Sequence, residues 1–262
     1  MRKIAQYLLL SFLLTACSAF TQTVPSPEPS QNPGIRFDRT LVSLTFDDGD
    51  ADNYLVRLIL ASNDLHATFY VVSGFTGTDG YMSRQQLGDL YADGNEIGGH
   101  TLSHTKLTDV SGADLRREIC QDRSNLIGFG FEVTSFAYPY GYFNDETRQV
   151  VKDCGYNNAR RVSEGPEVDP PADVFALRAM PYIVQDTDSS KMIRYVKEVA
   201  KDGGGWAIFV FHHVCSGCDQ YSVDLETFST FADWLGSQQA NGLTVKTVHE
   251  VIGGDVLPAV AP

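Results

Sequence analysis

The chain has 262 residues, with 20 Lys and Arg against 33 Asp and Glu, and 43% of it is hydrophobic. A formal charge of −13 leaves little basic surface, which argues against nucleic acid as a partner and against electrostatic docking on anionic lipid. A neutral or cationic substrate suits that balance better.

Met1-Arg2-Lys3 and the apolar stretch from Ile4 to Leu14 have the basic head and short apolar core of an export signal, too short to span a bilayer. The stretch closes on Leu14-Thr15-Ala16-Cys17, which resembles the lipobox of bacterial lipoproteins. The resemblance implies cleavage before Cys17 and lipid on that cysteine. Residues 18–36 carry Pro25, Pro27, Pro29 and Pro33 among Ser, Thr and Gln, a composition that buries no core and reads as a tether. Without Arg2 and Lys3, 18 basic residues face 33 acidic ones, a formal −15. The remaining residues, 37–262, fit one large α/β domain. The protein is expected to be exported, extracytoplasmic and monomeric, and to touch the membrane only through its lipid anchor.

With Cys17 set aside, four cysteines remain in an oxidising compartment. Cys215 and Cys218 suit a local disulfide or half a zinc ribbon, and no second Cys-x-x-Cys exists to complete a ribbon. Cys120 and Cys154 are then the second expected pair.

Leu41 to Phe46 is an apolar, β-rich run that ends in Asp47-Asp48-Gly49-Asp50, a buried strand delivering carboxylates. Paired carboxylates at a buried strand end call for a cation, because unpaired buried charge is costly. The alternative is that they cap the next helix. Asp50 stands at the N-cap position of a predicted amphipathic helix over residues 51–63, with Tyr54, Leu55, Leu58 and Ile59 inward, and is assigned there. Strands are predicted over residues 67–72, 95–99, 134–137, 174–177, 207–211 and 243–248. Helices are predicted over residues 83–92, opened by a Ser83/Gln86 capping box, and over 111–129, 144–153, 189–201 and 224–239. Such alternation implies a parallel sheet with outer helices, and about seven or eight units suggest a barrel whose chemistry collects at the carboxyl ends of its strands. Asp47, Asp48, His100, Tyr140, His212 and His213 all stand at such ends.

His100-Thr101-Leu102-Ser103-His104 spaces two imidazoles four residues apart, which lets both face one point. Alone, the pair is as readily two structural histidines. Beside Asp-Asp-Gly it completes a two-His, one-Asp set for zinc, with a position left open for water.

Thr45-Phe46-Asp47-Asp48-Gly49, His100-Thr101-Leu102-Ser103-His104, Phe136-Ala137-Tyr138-Pro139-Tyr140-Gly141 and Ile208-Phe209-Val210-Phe211-His212 resemble, in order and spacing, the motifs of the polysaccharide deacetylase family. This is the NodB-type homology domain, or carbohydrate esterase family four. The resemblance implies a distorted, incomplete (β/α) barrel of about seven parallel strands with outer helices. It also implies metal-assisted removal of acetyl groups from N-acetylglucosamine-containing glycans such as peptidoglycan, chitin fragments or exopolysaccharide. It assigns the metal to Asp48, His100 and His104, with zinc expected and cobalt or nickel as substitutes. Asp47 becomes the general base, His212 the acid that protonates the leaving amine, and the backbone N–H at Tyr140 an oxyanion donor. Pro139, Tyr140 and Tyr142 would line the pocket, and Tyr138 either joins them or is a core residue.

Two departures stand out. Ala137 occupies the position where many members carry an arginine paired with the base, and the Asp-Trp motif that supports that arginine between the third and last motifs is absent, the tryptophans being Trp206 and Trp234. Arg178, at a predicted strand end, is the expected replacement, with a salt bridge elsewhere as its equal alternative. The rival readings are an O-acetyl esterase acting on xylan, and a catalytically inactive glycan-binding lipoprotein.

Overall fold

The computed structural model describes residues 35–262 apart from Ser163. The export signal, Cys17 and the tether as far as residue 34 lie outside the described residues.

The central strand is β1 (Thr40–Phe46), whose alternate residues Val42, Leu44 and Phe46 are fully buried. So are Ser43 and Thr45 on its other face, as a strand covered on both sides requires. A turn of 3-10 helix at Ala51–Val56 runs into α1 (Arg57–Ser62), followed by β2 (Thr68–Val71), α2 (Arg84–Ala92) and β3 (Glu96–Gly99). Next come α3 (Gly112–Arg116), a π-helical turn at Arg117–Gln121, α4 (Asp122–Gly128), β4 (Ser135–Ala137), α5 (Asp145–Asp153) and β5 (Asn158–Arg160). The last part carries α6 (Ser189–Lys201), β6 (Gly205–Phe211), a small ladder of β7 (His213–Val214) with β8 (Ser222–Val223), α7 (Leu225–Gln238), β9 (Thr244–Val245) and α8 (Val248–Ile252).

The main sheet has seven strands in the order β5-β4-β3-β2-β1-β6, and β9 also pairs with β1. Every pairing in it is parallel. This is a curled parallel half-barrel with surrounding helices, the fold class expected from the alternation of elements. Between sheet and helices, Phe46 stacks on Phe69 and Phe211 at centroid separations of 4.9 and 5.2 Å, and Phe228 of α7 packs edge-on against Phe46. Each such ring contributes roughly 1.5–3 kcal/mol by leaving water. The Ser83/Gln86 capping box opens α2, and Asn144 and Asp224 cap α5 and α7. Both cysteine pairs, Cys120–Cys154 and Cys215–Cys218, are disulfides.

Several expectations are corrected. The predicted helix over residues 51–63 starts as 3-10 helix, whose three residues per turn shift the phase of the apolar face. Val56 and Leu60 therefore point inward, while Leu55 and Leu58 are 53% and 77% exposed. Asp50 sits at the N-cap position, yet its side chain makes no capping bond. Residues 174–177 contribute a single bridge, Arg160 to Leu177, instead of a strand. The strand expected over 243–248 stops at Val245, because Thr247 and Glu250 form a capping box that turns the chain into α8. β5 was not foreseen: three residues with Asn and Arg among them carry no apolar period.

Candidate active site

The carboxyl ends of β1, β3, β4, β5 and β6 deliver the polar groups. Asp48 follows β1 with a φ of 72°, which swings its carboxylate toward the end of β3. His100 follows β3 and is buried; its Nδ1 lies 2.8 Å from the carbonyl oxygen of Ala137. With Nδ1–H donating to that carbonyl, Nε2 is left free, and it lies 3.3 Å from Asp48 Oδ1. His104 Nε2 lies 3.1 Å from the same oxygen.

The loop between the two histidines is pinned from below. Glu118, in the π-helical turn, accepts from Ser103 N–H at 3.0 Å and from Ser103 Oγ at 2.9 Å, and its carbonyl accepts from Leu102 N–H at 2.9 Å. The π turn thus aims Glu118 at the loop that presents His104. Among the described residues, five non-glycine residues have positive φ, and four of them are Asp48, Thr101, His104 and Tyr140. Such strain gathers where the surrounding structure over-determines a site.

The ligand atoms of Asp48, His100 and His104 lie within 4.8 Å of one another. Donors 2.0–2.1 Å from one tetrahedral zinc ion would stand about 3.3 Å apart, so the observed 3.1 and 3.3 Å separations fit such an ion. Asp48 Oδ1 is buried and has no hydrogen-bond donor from the protein. The electrostatics agree. Burial alone would push the Asp48 carboxyl up, but the two imidazoles hold it well below the usual carboxylate range. Burial would push His100 down, and Asp48 and Asp47 outweigh it and raise it. The cluster is built to surround positive charge.

Asp47 points to the other side. One Nη of Arg160 donates to both of its carboxylate oxygens at 2.6 Å, and both side chains are buried. The Arg160 guanidinium also lies 5.1 Å from the centroid of the Tyr70 ring. Arg178 does not meet Asp47; it reaches Glu167 at 3.4 Å and is one-third exposed. The expected replacement is therefore corrected. The guanidinium comes from β5, and Arg160 is the register partner of Ala137 on β4. A charged residue closing a strand beside Ala137 was the only sequence signal, and β5 had to be seen first.

His212 follows β6 and is half-buried near Asp47, Asp48 and His100, and its buried Nδ1 has no protein partner. Burial pushes its imidazole below the ordinary value, and Arg160 and His100 act in the same direction. His213 faces away, with Nδ1 at 2.9 Å from Asp52 and 3.4 Å from Asp50. Burial raises Asp50 to about 7, while Asp50 and Asp52 together overcome burial to raise His213. Asp52, Cys215 and Cys218 lie close enough together to share an ion, but the two sulfurs are already joined.

Of the expected pocket lining, Tyr140 is 54% exposed with its ring 4.7 Å from that of His104, and Tyr142 is exposed under Lys106. Of its two readings Tyr138 takes the core one: it is buried, stacks on Phe143 and donates its hydroxyl to Phe175 O at 3.1 Å, so it supports the wall from behind. Pro139 is buried beneath Tyr140 in the same turn.

A curled parallel half-barrel with an Asp-His-His cluster and a guanidinium-held carboxylate at its strand ends defines a class of protein. Residues 35–159, just under half of the chain, match the family model described as polysaccharide deacetylase. The peptidoglycan-N-acetylglucosamine deacetylase of Bacillus cereus is 28% identical over 118 residues, 44% of this chain and 54% of the relative. The chitooligosaccharide deacetylase of Azorhizobium caulinodans is 29% identical over 126 residues, 46% of this chain and 58% of the relative. Among solved structures, the Streptococcus pyogenes deacetylase PplD in complex with acetate superposes with a TM-score of 0.55 at 25% identity, over 59% of this chain and 69% of that one. The chain thus spans about half the length of the curated relatives it matches.

Proposed function

We propose that this protein is an exported, lipid-anchored, metal-dependent hydrolase that removes N-acetyl groups from N-acetylglucosamine-containing glycans and releases acetate. In this reading residues 1–17 are the signal with its lipidated Cys17, residues 18–36 the tether, and residues 37–262 the catalytic domain. The observation that carries the reaction is the convergence of Asp48, His100 and His104 on one point, with Arg160-held Asp47 and half-buried His212 beside it.

Asp48, His100 and His104 would hold the divalent ion, zinc by their donor chemistry. When bound, it would supply Lewis acidity toward the acetyl carbonyl and lower the pKa of water. Asp47 takes the proton from the attacking water, and Arg160 holds its carboxylate in place. The backbone N–H of Tyr140, presented by a φ of 58°, donates to the oxygen on which negative charge develops. As the carbon–nitrogen bond breaks, His212 gives a proton to the nitrogen, which leaves as an amine. Its depressed pKa makes its protonated form a strong acid, and a scarce one at neutral pH.

The acidic chain suits the product as well as the substrate, since deacetylation creates a cationic amine. The test is acetate release from chitooligosaccharides and from acetylated xylan in parallel, before and after chelation and after zinc is returned. Zinc-restored release from the chitooligosaccharide is the expected result. Release from xylan alone would move the activity to an O-acetyl esterase, and silence on both with metal bound would overturn the reading.

A further inference from the structure

A pair of tyrosine rings stands on the His212 side of the site. Tyr221, on the connection between β7 and β8 that also carries the Cys215–Cys218 disulfide, has its ring 5.4 Å from that of His212. Tyr182 follows at 5.7 Å from Tyr221, inclined by 49°, and is 37% exposed. The pair is braced. Gln185 N–H donates to Gln220 O at 3.1 Å, which ties the two loops together between the tyrosines. Tyr221 N–H donates to Asp219 Oδ1 at 2.7 Å, and the ladder of β7 with β8 fixes the loop at its base. Burial and the neighbouring Tyr221 raise the Tyr182 hydroxyl, so it remains a neutral donor. Asp47, Arg160 and Tyr142 are also near enough for their charges to act on that hydroxyl.

We infer that Tyr182 and Tyr221 form a stacking subsite for a pyranose ring on the His212 side of the site. Two partly exposed aromatic rings on cross-tied loops offer an apolar face to a sugar's C–H face and hydroxyls to its rim, at little ordering cost. The inference rests on the deacetylase reading for the identity of the ligand, an N-acetylhexosamine oligomer, and on the rings themselves for the subsite. Tyr140 flanks the cluster on the His104 side, so a glycan held at both ends would lay its acetamide over Asp48 and Asp47. A short substrate would reach only one of the two ends.

The test uses the metal-loaded protein and its Tyr182→Ala, Tyr221→Ala, Tyr182→Phe and Tyr221→Phe variants. KM and kcat are measured on chitopentaose and on 4-nitrophenyl acetate, which has no sugar ring, and chitopentaose binding is measured by calorimetry. Each alanine variant is expected to raise the chitopentaose KM by roughly five- to tenfold with a much smaller change in kcat, and to weaken binding by a similar factor. The loss on 4-nitrophenyl acetate should be several-fold smaller, and each phenylalanine variant should restore most of the binding. Unchanged chitopentaose binding in both alanine variants would overturn the subsite. Equal losses on the two substrates would also overturn it, because they would mean that the rings only support His212. A wild-type protein that binds chitopentaose, loses that binding in Tyr182→Ala and releases no acetate would keep the subsite and sink the deacetylase reading.

Discussion

Arg160 donates to both carboxylate oxygens of Asp47 from a strand that is three residues long and 113 positions away in the chain. Its register partner on the adjacent strand is Ala137, the position at which the family resemblance led to an arginine being expected. Moving the guanidinium one strand sideways at the same register keeps it at the carboxyl end of the sheet and leaves the carbonyl of Ala137 to orient His100.

Arg160→Met should therefore retain metal and lose turnover by about a hundredfold, since a mispositioned base gives up a general-base contribution of that order. It should also cost about 3–5 kcal/mol of stability, because Asp47 would be left buried without a partner. Arg160→Lys, with one cation and no fork, should recover part of both. Arg178→Ala should change neither. The checks are metal content, denaturant midpoint and kcat for each variant. A metal-loaded, folded Arg160→Met protein with wild-type kcat would show that the pair is structural only.

The parts of the site that were legible in the sequence are the local ones. Asp47 and Asp48 follow one apolar strand, and His100 and His104 share one loop, so residue type and spacing carry them. Arg160 was missed because its partner is set by the pairing of β4 with β5, a property of the sheet and not of any segment. The choice between pocket and core for Tyr138 stayed open for a related reason. It and Tyr140 look alike in sequence, but the positive φ at Tyr140 turns one ring outward while Tyr138 continues into the core. α8 did have a visible signal in Thr247-Val248-His249-Glu250, which the apolar run before it obscured. No sequence feature joins Tyr182 to Tyr221, because two loops meet only once the sheet has closed.

Amide hydrolysis should decline as pH rises through the His212 pKa. Burial depresses that value, so the protonated acid is lost below the ordinary histidine value of about 6.5 and not above it. Hydrolysis of an aryl acetate, whose leaving group needs no proton, should lack this alkaline limb. His212→Ala should accordingly damage chitooligosaccharide turnover by about a hundredfold or more and aryl acetate turnover far less. The two pH profiles of kcat/KM decide it: the same alkaline limb on both substrates would remove His212 from the acid role.

Metal retention should fail from the acid side. A proton and the ion compete for His100, and Asp48 and Asp47 raise the affinity of that imidazole for a proton above the usual value. Apparent metal affinity should therefore begin to weaken while pH is still above about 6.5 and weaken further as pH falls. Asp48→Asn should abolish stoichiometric binding at neutral pH. Metal affinity titrated against a competing chelator from pH 8 to 5 reads both, and an affinity that does not change with pH would contradict the assignment of His100 as a ligand.

The two disulfides should separate stability from binding. Cys120–Cys154 closes a loop of 34 residues between the π-helical turn and the end of α5, with both sulfurs in the core. Its removal by paired alanines should cost roughly 3–4 kcal/mol in the chain-entropy model, plus the packing lost around two buried side chains. Cys215–Cys218 spans three residues at the surface, so its loop-closure contribution is much smaller. That second bridge holds the loop carrying Tyr221, and its removal should loosen the ring beside His212. The expected pattern is a large drop in denaturant midpoint with near-normal KM for the first pair of substitutions, and a small drop with a several-fold higher chitooligosaccharide KM for the second. Were the second pair to lower the midpoint as much as the first, the loop would be part of the folding core and its effect on KM would say nothing about Tyr221.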